Sequence, residues 1–270
     1  MRRCRLAALA GVVLLAVASS ACKKLQARDQ LNKGVNAFRN GQFQDAVDKF
    51  QHAVALDPNL VNARLYLAMS YFQQYAPGGE SPANKQMGQQ AISAFEDVLK
   101  LDPSNTTALA TIGTIYYYFK DFDNAKKFQR HRLDIEPNNP EPYYWIGVMD
   151  YAVCAKNNGD TRVGDPKLNV LGPTGEPPPL PEKLRAQLAQ KNSALIDEGM
   201  QALNKAIELK PNYDEAMAYL NLIYRQKADI ESEPGARAAD LKAANDWLAK
   251  AMAARSQTGA AAAAAASSSH

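Results

Sequence analysis

The chain has 270 residues, 46% of them hydrophobic and 22% charged, the balance of a soluble globular protein. Its formal charge of +3 comes from 31 Lys and Arg against 28 Asp and Glu. Residues 1–21 hold three of those arginines (Arg2, Arg3, Arg5) and no acid, which leaves 28 bases facing 28 acids. A neutral chain without a basic tract has no electrostatic footprint for nucleic acid, and that class of partner is excluded.

The first 21 residues read as a targeting segment. MRRCR is a basic start, LAALAGVVLLAVA an apolar core and SSA a small-residue cleavage site. The apolar core covers about 20 Å as a helix, short of a bilayer core of roughly 30 Å, so an export signal is favoured over a membrane span. Cys22 follows the cleavage site directly. This arrangement resembles a bacterial lipoprotein signal, which implies that Cys22 is acylated and that 22–26 is a lipidated linker. Several acyl chains at ~0.8 kcal/mol per buried CH₂ would hold the protein on a membrane facing the periplasm. Ser19 stands where such signals prefer Leu, and Ser19 with Ala21 also fits ordinary cleavage and secretion. Cys4 leaves with the leader and Cys22 would be modified, so no intramolecular disulfide framework is expected and Cys154 reads as a helix-packing residue.

A phrase then recurs along the chain: AVALDPN at 53–59, VLKLDPS at 98–104, LDIEPN at 133–138 and AIELKPN at 206–212. Its prolines, Pro58, Pro103, Pro137 and Pro211, lie 45, 34 and 74 residues apart. The middle interval equals a known helix-pair repeat length, and the others are that length plus an insertion. Gly34 precedes Ala46 by twelve residues, as Gly113 precedes Ala125. Two helix axes approach to about 8–10 Å only where side chains are short. Ala46, Phe50 and Ala53 mark one face of a second helix, and the proline stops it.

On these residues the chain resembles the tetratricopeptide repeat family. The first repeat, 27–60, carries Gly34, Phe43, Ala46, Phe50, Ala53 and Pro58. The second, 61–105, carries Leu67, Ala68, Tyr71, Ala91, Phe95, Val98 and Pro103 around an insertion at YAPGGESPANK. The third, 106–139, carries Ile112, Gly113, Tyr116, Phe122, Ala125 and Pro137, and departs at Gln129 and Arg132, which predicts loose packing of its second helix. The fourth, 140–213, opens at Trp145, Ile146 and Gly147 and closes at Gly199, Leu203, Ala206 and Pro211. The fifth, 214–255, has Leu220, Tyr224, Ala244, Leu248 and Ala251, with Asn221 in place of the small residue. The resemblance implies an all-α fold, a superhelical array of about five helix-turn-helix repeats over 27–255, with insertions in repeats 2, 4 and 5.

The insertion at 157–181 is Gly- and Pro-dense, which predicts an exposed, mobile loop with a polyproline stretch at PPPLP. From Pro181 a single long helix is expected. Residues 256–270 are low in complexity and are read as a disordered tail.

No catalytic or metal-binding constellation accompanies this framework. The histidines are His52, His131 and His270, without HExxH or CxxC spacing, and there is no GxSxG or GxxxxGK[ST]. Asp121 and Asp123 sit in a turn without the glycine and distal glutamate of a calcium loop. No catalytic residue, metal or cofactor is therefore expected, and a binding role is. The resemblance implies that the first helix of each pair lines a concave surface. At the positions of the family's clamp lysine stand Leu31, Leu65, Ala110, Tyr144 and Ala218, which argues against a carboxylate clamp. One turn after each small residue come Phe38, Phe72, Tyr117 and Tyr151, with Arg225 last in the series and Tyr118 and Tyr144 flanking it. These aromatics are the candidate groove for an extended or proline-rich peptide; their competing role is packing between neighbouring helices. The function expected is a non-enzymatic interaction scaffold anchored to the bacterial cell envelope, binding a protein or peptide partner. Its alternatives are a secreted soluble binder and the regulatory platform of an envelope enzyme.

Overall fold

A computed structural model describes the backbone of residues 2–172 and 175–268 and the side chains of 21–172 and 175–259. Among the described residues the regular structure is all helical. In chain order the helices are α1 (Arg2–Arg39), α2 (Phe43–Leu56), α3 (Val61–Gln74), α4 (Pro82–Leu99), α5 (Thr106–Tyr118), α6 (Phe122–Ile135), α7 (Pro140–Arg162), α8 (Glu182–Leu209), α9 (Asp214–Ile230) and α10 (Pro234–Ser268). They divide into consecutive pairs whose partners pack side by side, as α1 does with α2, α3 with α4, α7 with α8 and α9 with α10. Contacts group the chain into two compact units, one ending at Phe128 and one starting at Gln129.

The recurring phrase works as a hydrogen-bonded turn. In the second copy Asp102 accepts from the Asn105 side chain at 3.0 Å and the Ser104 hydroxyl at 2.9 Å, while the Asn105 side-chain oxygen accepts from the Ala108 amide at 3.0 Å. One asparagine thus closes the turn and caps the next helix, meeting an amide that has no intrahelical partner. Those hydrogen bonds hold the Asp102 carboxyl below the usual carboxylate range. The third copy repeats the device, with Asn139 donating to Glu136 at 2.8 Å and accepting from the Glu141 amide at 3.0 Å. In the fourth copy Lys210 replaces the acid, and its ammonium lies 3.9 Å from the centre of the Tyr213 ring. Asp121, expected in a turn, accepts from the Asn124 amide at 3.2 Å and so caps α6.

In the first unit, Ala46 and Phe50 of α2 pack with Ala37 of α1, and a larger core joins Ala68, Ile92, Phe95, Val98, Ile112 and Ile115 of α3, α4 and α5. In the second unit, Ile196, Leu203 and Ala206 of α8 pack with Cys154 of α7 and with Ala216, Leu220 and Ile223 of α9. Close approach inside a pair depends on glycine. A Cβ on Gly34 would lie 2.5 Å from the Phe50 ring, and one on Gly147 would lie 2.4 Å from Leu203 Cγ. Asn221, which takes the small-residue position in the fifth pair, donates to the Ala244 carbonyl of α10 at 2.8 Å. A polar bridge there replaces bare contact.

Three expectations change. Gln129 and Arg132 do not loosen α6: both are buried, and Arg132 donates to Gln129 at 3.0 Å and to Glu141 at 2.9 Å. Charge-assisted bonds to fixed partners take the place of apolar packing. The 256–270 segment, expected as a disordered tail, instead continues α10 as far as Ser268. Alanine is the best helix former, and a run of it extends a helix that Ala244, Ala251 and Ala254 already pack in place. Residues 22–26, expected as a linker, lie within α1 with their side chains exposed. The side chains of the expected leader fall outside the described residues, apart from Ala21. The extra length of the fifth repeat goes into its helices, which only residues 231–233 separate.

Gly147→Val should lower stability by about 1–3 kcal/mol, the cost of overpacking a filled site. Gly159 of the same helix serves as the control, because a Cβ added there would meet nothing within 4 Å. Gly159→Ala should raise stability by about 0.5–1 kcal/mol through helix propensity alone. Chemical denaturation of both variants checks the pair.

Candidate binding surface

The aromatic residues singled out in the sequence are placed by the first helices of the pairs, but mostly as packing groups. In the first unit Phe38 is half-buried, with its ring centre 5.4 Å from that of Phe43 and 5.8 Å from that of Tyr66. Phe72 packs against the α3–α5 core and meets Tyr75 at 6.3 Å. Tyr117 lies edge-on to Tyr118 at 5.4 Å and near Phe122 at 5.8 Å. Tyr118 is the exposed member, with 40% of its surface open.

In the second unit Tyr144 and Tyr151 of α7 are joined through α9. Tyr219 sits edge-on to both, at 5.7 Å and 5.6 Å, and Tyr213 adds a contact to Tyr144 at 5.1 Å. These rings interlock in edge-on and tilted arrangements, which aromatic quadrupoles favour. Burial pushes the Tyr151 phenol up, helped by Tyr219. Burial likewise pushes Tyr213 up to about 12, with Glu215, Glu141 and Asp214 adding to it. Sequence reasoning found Tyr144 and Tyr151 and missed Tyr213 and Tyr219, whose ring-to-ring partners come from a distant stretch of chain.

The largest departure from expectation is the insertion. Residues 157–162 continue α7, Pro166–Asn169 form a single 3₁₀ turn, and residues 176–178 are held by side chains of α7, α9 and α10. Leu168 and Leu180 are buried together with Leu188 of α8. Burying each such leucine contributes about 1.5–3 kcal/mol, which offsets ordering a segment that composition alone marks as loop. We call residues 163–172 and 175–181 the strap.

Arginines hold it. Arg162, buried at the end of α7, donates through Nε to Asn158 at 2.7 Å, through Nη1 to the Leu168 carbonyl at 2.7 Å and the Pro178 carbonyl at 3.2 Å, and through Nη2 to Asp229 at 2.8 Å. Asn158 in turn donates to the second Asp229 oxygen at 2.5 Å. Arg225 of α9, the last member of the aromatic series, forms an ion pair with Glu176 and donates to Asn245 at 2.8 Å. Arg237 of α10 donates to the Pro177 carbonyl at 3.0 Å. Beside these contacts a cleft of about 380 Å³ remains, lined by Tyr151, Arg162, Leu171, Glu176 and Arg225. Among the described residues no cluster of three His, Cys, Asp or Glu side chains is arranged to hold a metal ion.

The family model of the tetratricopeptide repeat matches residues 106–139. Those residues form a tetratricopeptide repeat. Among curated proteins the chain is similar to interferon-induced protein with tetratricopeptide repeats 2 of Cricetulus griseus, 27% identical over 106 residues that make up 39% of this chain and 20% of that protein. It is also similar to Hsp70-Hsp90 organizing protein 3 of Arabidopsis thaliana, 28% identical over 115 residues, 43% of this chain and 19% of that protein. The chain thus spans about a fifth of the length of the curated relatives it matches. Among solved structures it is similar to MamA, with a TM-score of 0.57 at 16% identity over 87% of this chain and 94% of that one. It is similar also to YrrB, described as a tetratricopeptide protein with an unusual peptide-binding site, with a TM-score of 0.51 at 14% identity over 84% and 90% of the two chains. At such identities the likeness is one of fold.

Two outcomes follow for the tyrosines. Tyr151→Ala should cost about 2 kcal/mol, because a half-buried ring leaves a void against Tyr219, whereas Tyr118→Ala should change stability by less than about 0.5 kcal/mol; thermal denaturation reads both. The folded-state value of Tyr213 lies above the unfolded value near 10. Its contribution to stability is therefore fully present below pH 10 and is lost as pH rises towards 12. Tyrosinate absorbance should show several late-titrating phenols, and Tyr213→Phe should remove the component near pH 12 and flatten that part of the pH–stability curve.

Proposed function

We propose that this protein is a non-enzymatic interaction scaffold of the bacterial cell envelope, anchored by lipid on Cys22, that binds an extended segment of a partner protein across the first helices of its repeats. The observation that carries the binding half is the strap itself. In the second unit Arg162 of α7 and Arg225 of α9 already hold a proline-rich chain segment, beside a cleft that they line together with Tyr151 and the strap's own Glu176, so the surface has the donors that an extended peptide needs. YrrB, with the same fold, is described as having an unusual peptide-binding site, which supports this reading. In the first unit the exposed Tyr118 with its neighbour Tyr117 offers a further aromatic contact of the kind enriched in interfaces.

The anchoring half rests on the leader-like residues 1–21 and on Cys22, whose side chain is exposed. Lys23 and Lys24 beside it would add attraction to anionic head groups, about 1 kcal/mol each. Secretion without lipid is the second reading, supported by the Ser19 and Ala21 pair, and the intact mass of the mature N-terminus separates the two.

Two experiments test the proposal. Replacing Cys22 with Ser should move the protein from the membrane fraction to the soluble one after a high-salt wash; a variant that stays in the pellet overturns lipid anchoring there. The full chain used as bait on envelope extract should capture a partner, and Tyr118→Ala should weaken capture without lowering stability. Failure of the full chain to retain any partner overturns the scaffold reading.

A further inference from the structure

The strap is built of acceptors and its cleft of donors. Proline has no amide hydrogen, so the run Pro177–Pro179 presents carbonyls alone, and a polyproline segment carries no internal hydrogen bonds to satisfy them. Facing it are guanidinium groups from three helices: Arg162 of α7, Arg225 of α9 and Arg237 of α10. Two of them donate to strap carbonyls, and the third pairs with the one strap carboxylate next to the prolines, Glu176. The Nε of Arg237 is buried at this wall without an acceptor. The match extends to a carboxylate followed by prolines, read in that order.

The fixation is uneven along the strap. Leu168 and Leu180 are 7% and 2% exposed and anchor its two ends in the core, but Val170 and Leu171 are 65% and 63% exposed. Between the anchors the strap is held by polar contacts, and those to carbonyls can be passed to any other chain that offers the same acceptors. The Arg225–Glu176 pair is largely shielded, at 27% and 17% side-chain exposure, so an incoming carboxylate has to take the place of Glu176 rather than leave Arg225 unpaired.

We propose that the arginine-lined surface which α7, α9 and α10 present to the strap is a binding site for an extended segment of another protein in which an acidic residue precedes a proline run, and that residues 176–179 are its built-in competitor. This rests on the scaffold reading and gives it a ligand chemistry and a control. The strap lowers apparent affinity by the fraction of time it occupies that surface, and a partner binds by displacing residues 176–179 from it. The second unit therefore takes strong or locally concentrated acidic–proline ligands and excludes weak ones.

The test uses the full chain and a fluorescent peptide of sequence GEPPPLP, identical to residues 175–181. Glu176→Lys sets a lysine against Arg225 and should open the strap while leaving Leu168 and Leu180 in place. A second opened variant replaces 176–179 with Gly-Ser residues. Either variant, with the helix content of the wild type by circular dichroism, should bind the peptide at least about tenfold more tightly than wild type does. Adding Arg225→Glu should abolish that gain. In the unaltered chain, excess peptide should speed hydrogen exchange at Leu168–Gly172. The proposal is overturned if a folded, opened variant binds no better than wild type, or if saturating peptide leaves strap exchange unchanged. A concentration-dependent dimer that the peptide does not dissolve would also overturn it, because the occupant is then the strap of a second copy. None of these failures affects partner capture through Tyr118, so the scaffold reading is judged separately.

Discussion

The structure depends on how near two helices of a pair can come. Gly34 lies against Phe50 and Gly147 against Leu203, so close that a single added carbon would collide with the partner's side chain. Each contact lets a bulky side chain of the second helix fill the space above the first. The separation they set decides whether the cores on either side are filled. Where the fifth pair abandons a small residue, Asn221 reaches the backbone of α10 and holds the approach by a hydrogen bond instead. Two local chemistries thus serve one geometric demand.

The turns between pairs obey a different constraint. A helix end leaves amides and carbonyls without partners, and the Asp/Glu-Pro phrase with its following asparagine supplies them within a few residues. Proline stops one helix, the acid accepts from the asparagine, and the asparagine caps the next helix. Because that exchange is local, it can be repeated along the chain without reference to the rest of the fold. Substituting Lys210 for the acid in the fourth copy shifts the job to a cation over the Tyr213 ring. The turn survives, and its electrostatic sign is reversed.

Buried charge is concentrated where the strap meets the last two pairs. Arg162 and Asp229 are nearly excluded from solvent, at 6% and 10% side-chain exposure, and each is met by Asn158 as well as by the other. A buried ion pair is costly unless its remaining donors and acceptors are satisfied, and here strap carbonyls complete the set. The strap is consequently part of the electrostatic balance of the second unit. The same guanidinium that stabilises the fold reads the strap's backbone, which ties stability and recognition to one residue.

How much of this was legible in the sequence follows from the range of each interaction. The helix pairs, their order and their approximate boundaries could be read from the spacing of Gly, Ala and Pro, because helical period, steric smallness and helix termination act within a few residues. Phe38, Phe72, Tyr117, Tyr118, Tyr144 and Tyr151 could be placed on first helices for the same reason. Their surroundings could not, since Tyr219 meets Tyr144 and Tyr151 only after α8 has intervened in sequence. Arg162, Arg237 and Glu176 were invisible as a group: Arg162 finds Asp229 across 67 residues and Arg225 finds Glu176 across 49. Composition marked 157–181 as an exposed loop, whereas residues 157–162 continue α7 and Leu168 and Leu180 are buried. The chain alone determined a series of helix pairs with an odd proline-rich interruption; only tertiary packing, by burying Leu168 and Leu180 and setting two arginines against strap carbonyls and a third against Glu176, decided that the interruption has a place to bind.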